Sequence, residues 1–290
     1  MKATVLIPTH DHGPTIRHSV VSALTQTVKD IEIFIVGDGM PDASRDVVRS
    51  VAQLDPRIRL FESPKGPRHG EILRHEALRE AVGQIVCYLS DDDLWMPDHV
   101  ETMLALLDTC DFANALPLYW DRQSGLGAWT VDLEQDYFRQ LILSGINRIP
   151  LSCAAHTLHR YRTLPYGWRT TPPETPTDLY MWQQFLADPA CRAKSAVRPT
   201  VLCFPAPTRK DMTVMERADE LEDHRTRLTG ANLTTQALAR FVRECARIEA
   251  TPAALTPSVE FRAGKKLLAL PLIGRLARFA YELRDRASSR

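Results

Sequence analysis

Three adjacent carboxylates, Asp91, Asp92 and Asp93, follow directly on the apolar run Ile85-Val86-Cys87-Tyr88-Leu89-Ser90. Crowded carboxylates repel one another, and a hard divalent cation is the simplest neutraliser. A cation held there would bridge to phosphate oxygens, which points to a site for a metal-bound nucleotide. The competing use of an acidic triplet is a solvated turn or a helix cap. Leu94-Trp95-Met96-Pro97-Asp98 can open such a helix, with Pro97 at its first position. The preceding run weighs for the site. A buried strand that ends in acids carries negative charge to the carboxyl edge of a sheet, where open α/β sheets bind ligands.

The elements that must position these acids alternate in kind. Thr4-Val5-Leu6-Ile7 is a short β-rich run stopped by Pro8, and Ile16, Val20, Leu24 and Val28 then recur at helical spacing. Ile31 to Val36 reads as a second strand, broken by Gly37-Asp38-Gly39. Val47, Val48, Val51 and Leu54 mark a second helix, capped by Asp42 or Ser44. Ile58 to Phe61 is a third strand. A Gly/Pro loop from Ser63 to Gly70 leads into a helix through Ile72, Leu73, Leu78 and Val82, and the Ile85 strand follows. Such alternation predicts an α/β fold with a mostly parallel central sheet and helices on both faces. Parallel crossovers are right-handed, so the strand ends share one edge. Thr9, Asp38 and Asp91 all sit just past strand ends and should converge on one crevice. Neither GxGxxG after the first strand nor GxxxxGK[ST] occurs, which argues against a nicotinamide dehydrogenase and a P-loop NTPase.

Several spaced segments resemble inverting nucleotide-sugar glycosyltransferases of family 2, with the GT-A fold. Val5-Leu6-Ile7-Pro8-Thr9-His10 is similar to the family's opening strand and loop, and Ser22 to Thr27 to its S-x-L-x-Q-T. Ile35 to Asp42 resembles V-D-D-G-S-x-D, with Gly37 in place of the first Asp. Arg74-His75-Glu76-Ala77-Leu78, with Ala81 and Gly83, resembles R-N-x-G-I…A-x-G. Ser90 to Asp93 resembles the metal-binding D-x-D-type motif. The resemblance implies that Pro8, Thr9 and His10 line the base pocket. It implies that Asp38 bonds the base or ribose, that Arg74 faces the nucleotide and that Asp91 lies near the donor ribose or sugar. Asp92 or Asp93 would then hold Mn²⁺ or Mg²⁺ on the diphosphate.

The resemblance runs on to Glu174-Thr175-Pro176-Thr177-Asp178-Leu179-Tyr180-Met181-Trp182, which is similar to the family's E-D-x-x-L-W helix start. Asp178 falls on its Asp, the expected general base, and Thr177 on its Glu. Inverting transfer needs a carboxylate to take the acceptor hydroxyl's proton. At a helix start the dipole favours the ionised form of Asp178; a plain N-cap is the bland alternative, and Glu174 is the substitute base. The resemblance also implies a nucleotide-diphosphate sugar as donor and a carbohydrate or lipid-linked acceptor, as in surface polysaccharide or glycolipid synthesis.

Later segments carry weaker signals. Phe112 to Pro173 is rich in aromatic and amide groups, among them Trp120, Trp129, His156 and Trp168, which suit an acceptor site or, more commonly, a core. Arg209 or Lys210 could close over a diphosphate, although solvated loop charges are the plainer account. His224 is a weak candidate for an extra metal ligand. Residues 261–290 hold eight Lys/Arg against two Asp/Glu, with Leu268, Leu272, Leu276, Phe279 and Leu283 on one helical face. A basic amphipathic helix of this kind lies on an anionic membrane, or packs on the domain or a second subunit.

Whole-chain properties bound these readings. At 290 residues, with 44% hydrophobic and 25% charged residues, the chain can bury a large core. Thirty-six basic residues balance thirty-six acidic ones, so nothing global recommends nucleic acid as a partner. The six cysteines are scattered without a CxxC pair, which fits a reducing, cytoplasmic setting. MKATVLIPTH shows no leader pattern, and no apolar run approaches the ~20 residues that span a bilayer. The expected organisation is a GT-A domain over 1–210, with a nucleotide-binding half at 1–110 and an acceptor half at 111–210, then a helical extension at 211–290. Two rivals remain. A sugar-nucleotide nucleotidyltransferase would want a Gly-rich basic loop after the first strand, where Thr9-His10-Asp11-His12-Gly13 has one Gly and no Lys or Arg. A non-catalytic sugar- or nucleotide-binding module would keep the fold and lose the base.

Overall fold

The computed structural model describes residues 1–123 and 125–228. The amphipathic segment at 261–290 lies outside the described residues. The first half alternates as the sequence predicts: β1 (Ala3–Thr9), α1 (Gly13–Leu24), β2 (Ile31–Asp38), α2 (Asp42–Ala52), β3 (Ile58–Ser63), α3 (Glu71–Leu78) and β4 (Ile85–Tyr88). All eight residues of β2 and all four of β4 are buried. Strands covered on both faces read as continuous apolar runs, which is why the sequence shows no alternation there.

The second half holds β5 (Leu94–Trp95), α4 (His99–Leu107), β6 (Phe112–Asp121), β7 (Gly125–Ala128), α5 (Asp136–Leu143), β8 (Ala154–Thr157), α6 (Leu158–Arg162), α7 (Thr177–Leu186), β9 (Ala193–Cys203) and α8 (Val214–Leu228). One sheet runs β3-β2-β1-β4-β8-β6-β9-β5, with β7 paired to β6. Its first four strands are parallel. Beyond β4, β8 is antiparallel to both β4 and β6, β9 runs parallel to β6, and β5 antiparallel to β9. Right-handed crossovers put α1 and α2 on one face and α3, which returns past β1, on the other. The connections after β1 and β4 therefore diverge, and a crevice opens between them at the carboxyl edge.

Polar residues pin this frame. The Glu32 carboxylate, 6% exposed, accepts Thr4 Oγ1 at 2.6 Å and the Val82 and Gly83 amides at 2.8 and 3.2 Å. A Cβ on Gly83 would stand 2.3 Å from the Thr4 nitrogen, so only glycine lets α3's exit lie against β1. Gln26, wholly buried, donates to the Met96 carbonyl and accepts the Val100 amide, while Ser22 Oγ accepts the Trp95 amide. The Ser22-to-Thr27 stretch thus ties the end of α1 to the segment after the acids.

One expectation changes. Leu94 and Trp95 do not begin a helix: they pair with Leu202 and Val201 of β9, and the helix starts at His99 after Asp98. β9 reaches back to Ala193, well before the apolar Val201-Leu202-Cys203-Phe204, because its pairing with β6 supports a polar start. Under the second half, Tyr88, Phe112, Trp168, Trp182 and Phe185 pack at centroid distances of 5.0 to 5.8 Å. Trp168 Nε1 donates to Tyr88 Oη at 2.9 Å, and Tyr88 Oη donates to His156 Nε2 at 2.6 Å. Trp168 and His156 are thus core residues with satisfied polar atoms. α8 packs on α1, where Glu222 meets His18 at 3.0 Å and Leu221 is fully buried. His224 packs against Trp120 and Phe204, and belongs to no metal-ligating cluster found among the described residues.

Candidate functional site

A cleft of about 400 Å³ opens at the divergence of β1 and β4. It is lined by Pro8, Thr9, His10, Asp38, Arg74, Asp91 and Asp92, residues drawn from four separate segments. Each arrives because a parallel strand, or the helix after one, delivers it to the same edge. Thr9 Oγ1 is buried with no hydrogen-bond partner among the described residues, and so is Arg74 Nε. Orphaned polar atoms at a cleft wall await a ligand or water.

The loop Ser63–Gly70 also enters the cleft and brings Lys65, Arg68 and His69. Lys65 Nζ donates to Asp38 Oδ2 at 2.5 Å, and the Gly66 amide to Asp38 Oδ1 at 2.6 Å. Asp38 is therefore oriented as well as buried, and it keeps free lone pairs for a further donor. Gly70 has φ +63°, and a Cβ there would stand 2.5 Å from the Asp38 Cγ. His10 Nδ1 donates to the Asp38 carbonyl at 2.7 Å, which sets its ring at the cleft mouth. Lys65, Arg68 and His69 went unnamed in the sequence, where this stretch reads only as a Gly/Pro loop. Its place after a parallel strand was the available signal, since such a loop must reach the shared edge.

The three acids part company. Asp91 Oδ1 accepts His12 Nδ1 at 3.1 Å, and this bond holds the imidazole pKa up at about 9 against burial. Asp92 accepts Arg209 Nη2 at 2.5 Å, yet burial and the neighbouring Asp93 and Asp91 push its carboxyl up to about 7. Asp93 does not line the cleft. It accepts Ser152 Oγ at 2.5 Å and the Phe204 amide at 2.8 Å, so both oxygens are committed to holding the short helical turn Leu151–Cys153 and the residue after β9. Ligand atoms of His12, Asp91 and Asp92 lie within 4.8 Å of one another. This set suits a divalent cation, which would relieve the crowding that raises the Asp92 pKa. His12 was missed in the sequence; its position in the loop after β1 was the only signal.

Arg209 is no solvated loop charge. The turn after β9 folds it back to 1% exposure, where its guanidinium also donates to the Phe204 carbonyl. Its Nε and Nη1 are buried without partners among the described residues.

Asp178 lies in the first turn of α7 and does not line the cleft. Pro176, not Asp178, is the N-cap residue. Its Oδ1 accepts the Leu179 amide at 2.9 Å, and Asn147 bonds its side chain. The helix dipole was expected to favour its ionised form; burial outweighs it and raises the Asp178 pKa. Arg74 links Asp178 to the cleft, since its charge acts on Asp178 and Asp38 alike. Glu174, the substitute base, is exposed in the turn before α7. The Trp129 ring is 46% exposed, with Arg148 over it at 5.5 Å.

Fold and site together define an α/β protein with a polar ligand cleft at the switch point of its parallel strands. Residues 4–162 match the family Glycosyl transferase family 2, and the chain belongs to that family. It is 30% identical over 118 residues to an uncharacterized glycosyltransferase of Nostoc sp., covering 40% of this chain and 36% of that one. It is 32% identical over 102 residues to glycosyltransferase GlyA of Streptococcus pneumoniae, covering 35% and 14%. The matches thus span about a third or less of these curated relatives' lengths. Among solved structures, S. aureus TarS residues 1–349 superpose with a TM-score of 0.55 at 15% identity, over 93% of this chain and 81% of that one. The same protein in complex with UDP-GlcNAc gives 0.54 at 16%, over 93% and 82%. These superpositions carry the GT-A architecture. Among the described residues no helix is long and apolar enough to cross a membrane.

Proposed function

We propose that this chain transfers a sugar from a nucleotide-diphosphate sugar to a hydroxyl acceptor, with inversion at the anomeric carbon and with Mn²⁺ or Mg²⁺. The observation that carries the reading is the convergence of all seven sequence-selected nucleotide-sugar residues on one cleft. Pro8, Thr9 and His10 form the wall for the base, and the oriented Asp38 carboxylate accepts from base or ribose. Asp92, with Asp91 and His12 beside it, would hold the cation; when bound, it supplies positive charge against the leaving diphosphate. Arg209 adds a fixed positive charge next to Asp92. Asp178 takes the acceptor hydroxyl's proton, and its burial keeps it a stronger base than an exposed aspartate. The TarS complex with UDP-GlcNAc supports a nucleotide sugar as the class of donor. A carbohydrate or lipid-linked acceptor, met at the cytoplasmic face of a membrane through 261–290, belongs to the same reading and rests on the sequence of that segment.

The test is thermal-shift binding of UDP, GDP, TDP and CDP, each with Mn²⁺ and with EDTA. Ligands that bind the folded state raise its melting temperature by mass action. A cation-dependent shift with one nucleotide, lost in Asp92→Asn, is the expected result. Binding without release of nucleoside diphosphate from any nucleotide sugar would favour a non-catalytic module instead.

A further inference from the structure

Among the described residues, Arg68 is the one non-glycine residue with left-handed backbone, at φ +54°. That conformation crowds a Cβ against the following carbonyl, so a side-chain-bearing residue keeps it only where its surroundings hold it there. Arg68 sits in the Ser63–Gly70 loop, at the wall of the cleft. The Gly70 amide closes the turn on the Pro67 carbonyl at 3.1 Å. Lys65 Nζ, which holds Asp38, also donates to the Arg68 carbonyl at 2.8 Å. The backbone of Arg68 is thus fixed to the nucleotide side of the cleft. Its side chain leaves that side. Nη1 donates to the Pro173 carbonyl at 2.7 Å and Nη2 to the Thr175 carbonyl at 3.3 Å, 105 and 107 positions further along the chain. Both carbonyls belong to the turn that leads into α7 and Asp178. Pro172, Pro173, Glu174 and Pro176 of this turn are exposed. Its other ties are the Thr171 amide and the Thr177 hydroxyl, which donate to Glu71 of α3 at 3.4 and 3.2 Å. Glu71 is not part of the cleft lining, so Arg68 is the tie that joins the cleft wall to α7. Three prolines with fixed φ make the turn stiff, and it passes a displacement on to Asp178 rather than absorbing it.

We propose that Arg68 is a positioning residue for transfer: by strapping the turn before α7 to the nucleotide wall, it holds Asp178 in register with the donor. The inference rests on the transfer reading and names a residue that reading does not contain. The contacts run from Asp38 through Lys65 to the Arg68 backbone, and from the Arg68 guanidinium to the Pro173 and Thr175 carbonyls. A nucleotide on Asp38 and a base on α7 are thereby held in one frame. Two guanidinium nitrogens are spent on these carbonyls and Nε is buried, so Arg68 acts on α7 and not on the donor phosphates. The planar fork is what reaches two carbonyls at once, which an ammonium on a flexible stem does not reproduce.

The experiment uses Arg68→Gly in the full-length protein. It removes the guanidinium and gives the left-handed backbone to the residue that tolerates it best, so the loop keeps its shape. Release of nucleoside diphosphate at saturating nucleotide sugar should fall about 10- to 100-fold, the cost of a misplaced reacting group. Affinity for UDP, GDP, TDP and CDP should stay at the wild-type level. Arg68→Lys, which keeps the charge and loses the fork, should lie between the two. In an Asp178→Asn background Arg68→Gly should cost nothing further, because its effect passes through Asp178. Unchanged release in Arg68→Gly overturns the proposal, and so does a full additional loss in the Asp178→Asn background. A weakened nucleotide affinity marks Arg68 as a donor contact and overturns it too. Where Arg68→Gly does not fold, Arg68→Lys carries the same comparisons. Hydrogen exchange at the Leu179 and Tyr180 amides needs no turnover: it should quicken in either variant, and equal rates overturn the proposal. A wild type that releases no nucleoside diphosphate sinks the transfer reading, while the exchange rates still decide whether Arg68 fixes the start of α7.

Discussion

Asp91, Asp92 and Asp93 are neighbours in the chain, whereas Glu71 and Asp178 come from α3 and α7. The fold treats the two groups in opposite ways. It sends the contiguous acids three ways: Asp91 to His12, Asp92 to Arg209, and Asp93 inward to Ser152 and Phe204. It brings the distant pair together at the first turn of α7, where the Thr177 hydroxyl, next to Asp178, donates to Glu71 at 3.2 Å. Adjacency in sequence therefore does not make carboxylates equivalent, because successive residues leave a strand end in different directions. Partnership at a sheet edge depends on which loops the topology delivers there.

The sharpest way to break the contrast is at the distant pair. Asp178→Asn should lower the rate of nucleoside diphosphate release by about 10²- to 10⁴-fold, the usual worth of a positioned general base. Nucleotide thermal shifts should persist. An unchanged rate would remove Asp178 from the chemistry.

Within the contiguous acids, two substitutions should move stability in opposite directions. Asp93→Ala leaves the Phe204 amide and the Ser152 hydroxyl proton without their acceptor in a buried site and should cost about 1–3 kcal/mol in denaturant unfolding. Asp92→Asn should stabilise the cation-free protein at pH 8. The sign follows from a folded pKa of about 7 against an ordinary 3.8. Below pH 3.8 the group is neutral in both states. Between there and pH 7 the unfolded chain ionises first, so the wild type loses stability as pH rises, and the loss is complete above pH 7. The advantage of Asn should accordingly vanish toward pH 4. Destabilisation by both variants at pH 8 would show that the three acids are one structural unit after all.

Gly70→Ala tests the frame around Asp38. A φ of +63° with a Cβ 2.5 Å from the Asp38 Cγ should cost about 1–2 kcal/mol of stability. Calorimetric nucleotide affinity should weaken with it.

The smallest effect belongs to His12. Its pKa of about 9 lies above the unfolded value of 6.5, so the stability it contributes is present below pH 6.5 and is lost as pH rises through 9. In EDTA, His12→Gln should be less stable than wild type by about 1 kcal/mol or less at pH 6, since the pair is partly solvated. The two proteins should match at pH 10.

Much of this arrangement is written in local pattern. The apolar runs of β1, β2 and β4, the helical spacing of α1 and α2 and the turn residues between them depend on near neighbours, and a period can be read from them directly. Parallel topology then requires Thr9, Asp38 and Asp91 to meet, so their convergence on one cleft was legible before any coordinates. The two-residue strand β5, the early start of β9, the return of Arg209 to Asp92 and the arrival of Lys65 at Asp38 have no such local signature. Each depends on a partner far away in the chain, and single polar residues on loops look alike whether solvated or enclosed. The sequence by itself determined the alternating architecture and that the ends of β1, β2 and β4 share one edge, because hydrophobic periodicity and crossover handedness act locally. Only the tertiary structure decided that two of three adjacent acids line the cleft while the third turns inward, and that Glu71 meets the first turn of α7, because burial and side-chain pairing are properties of the packed whole.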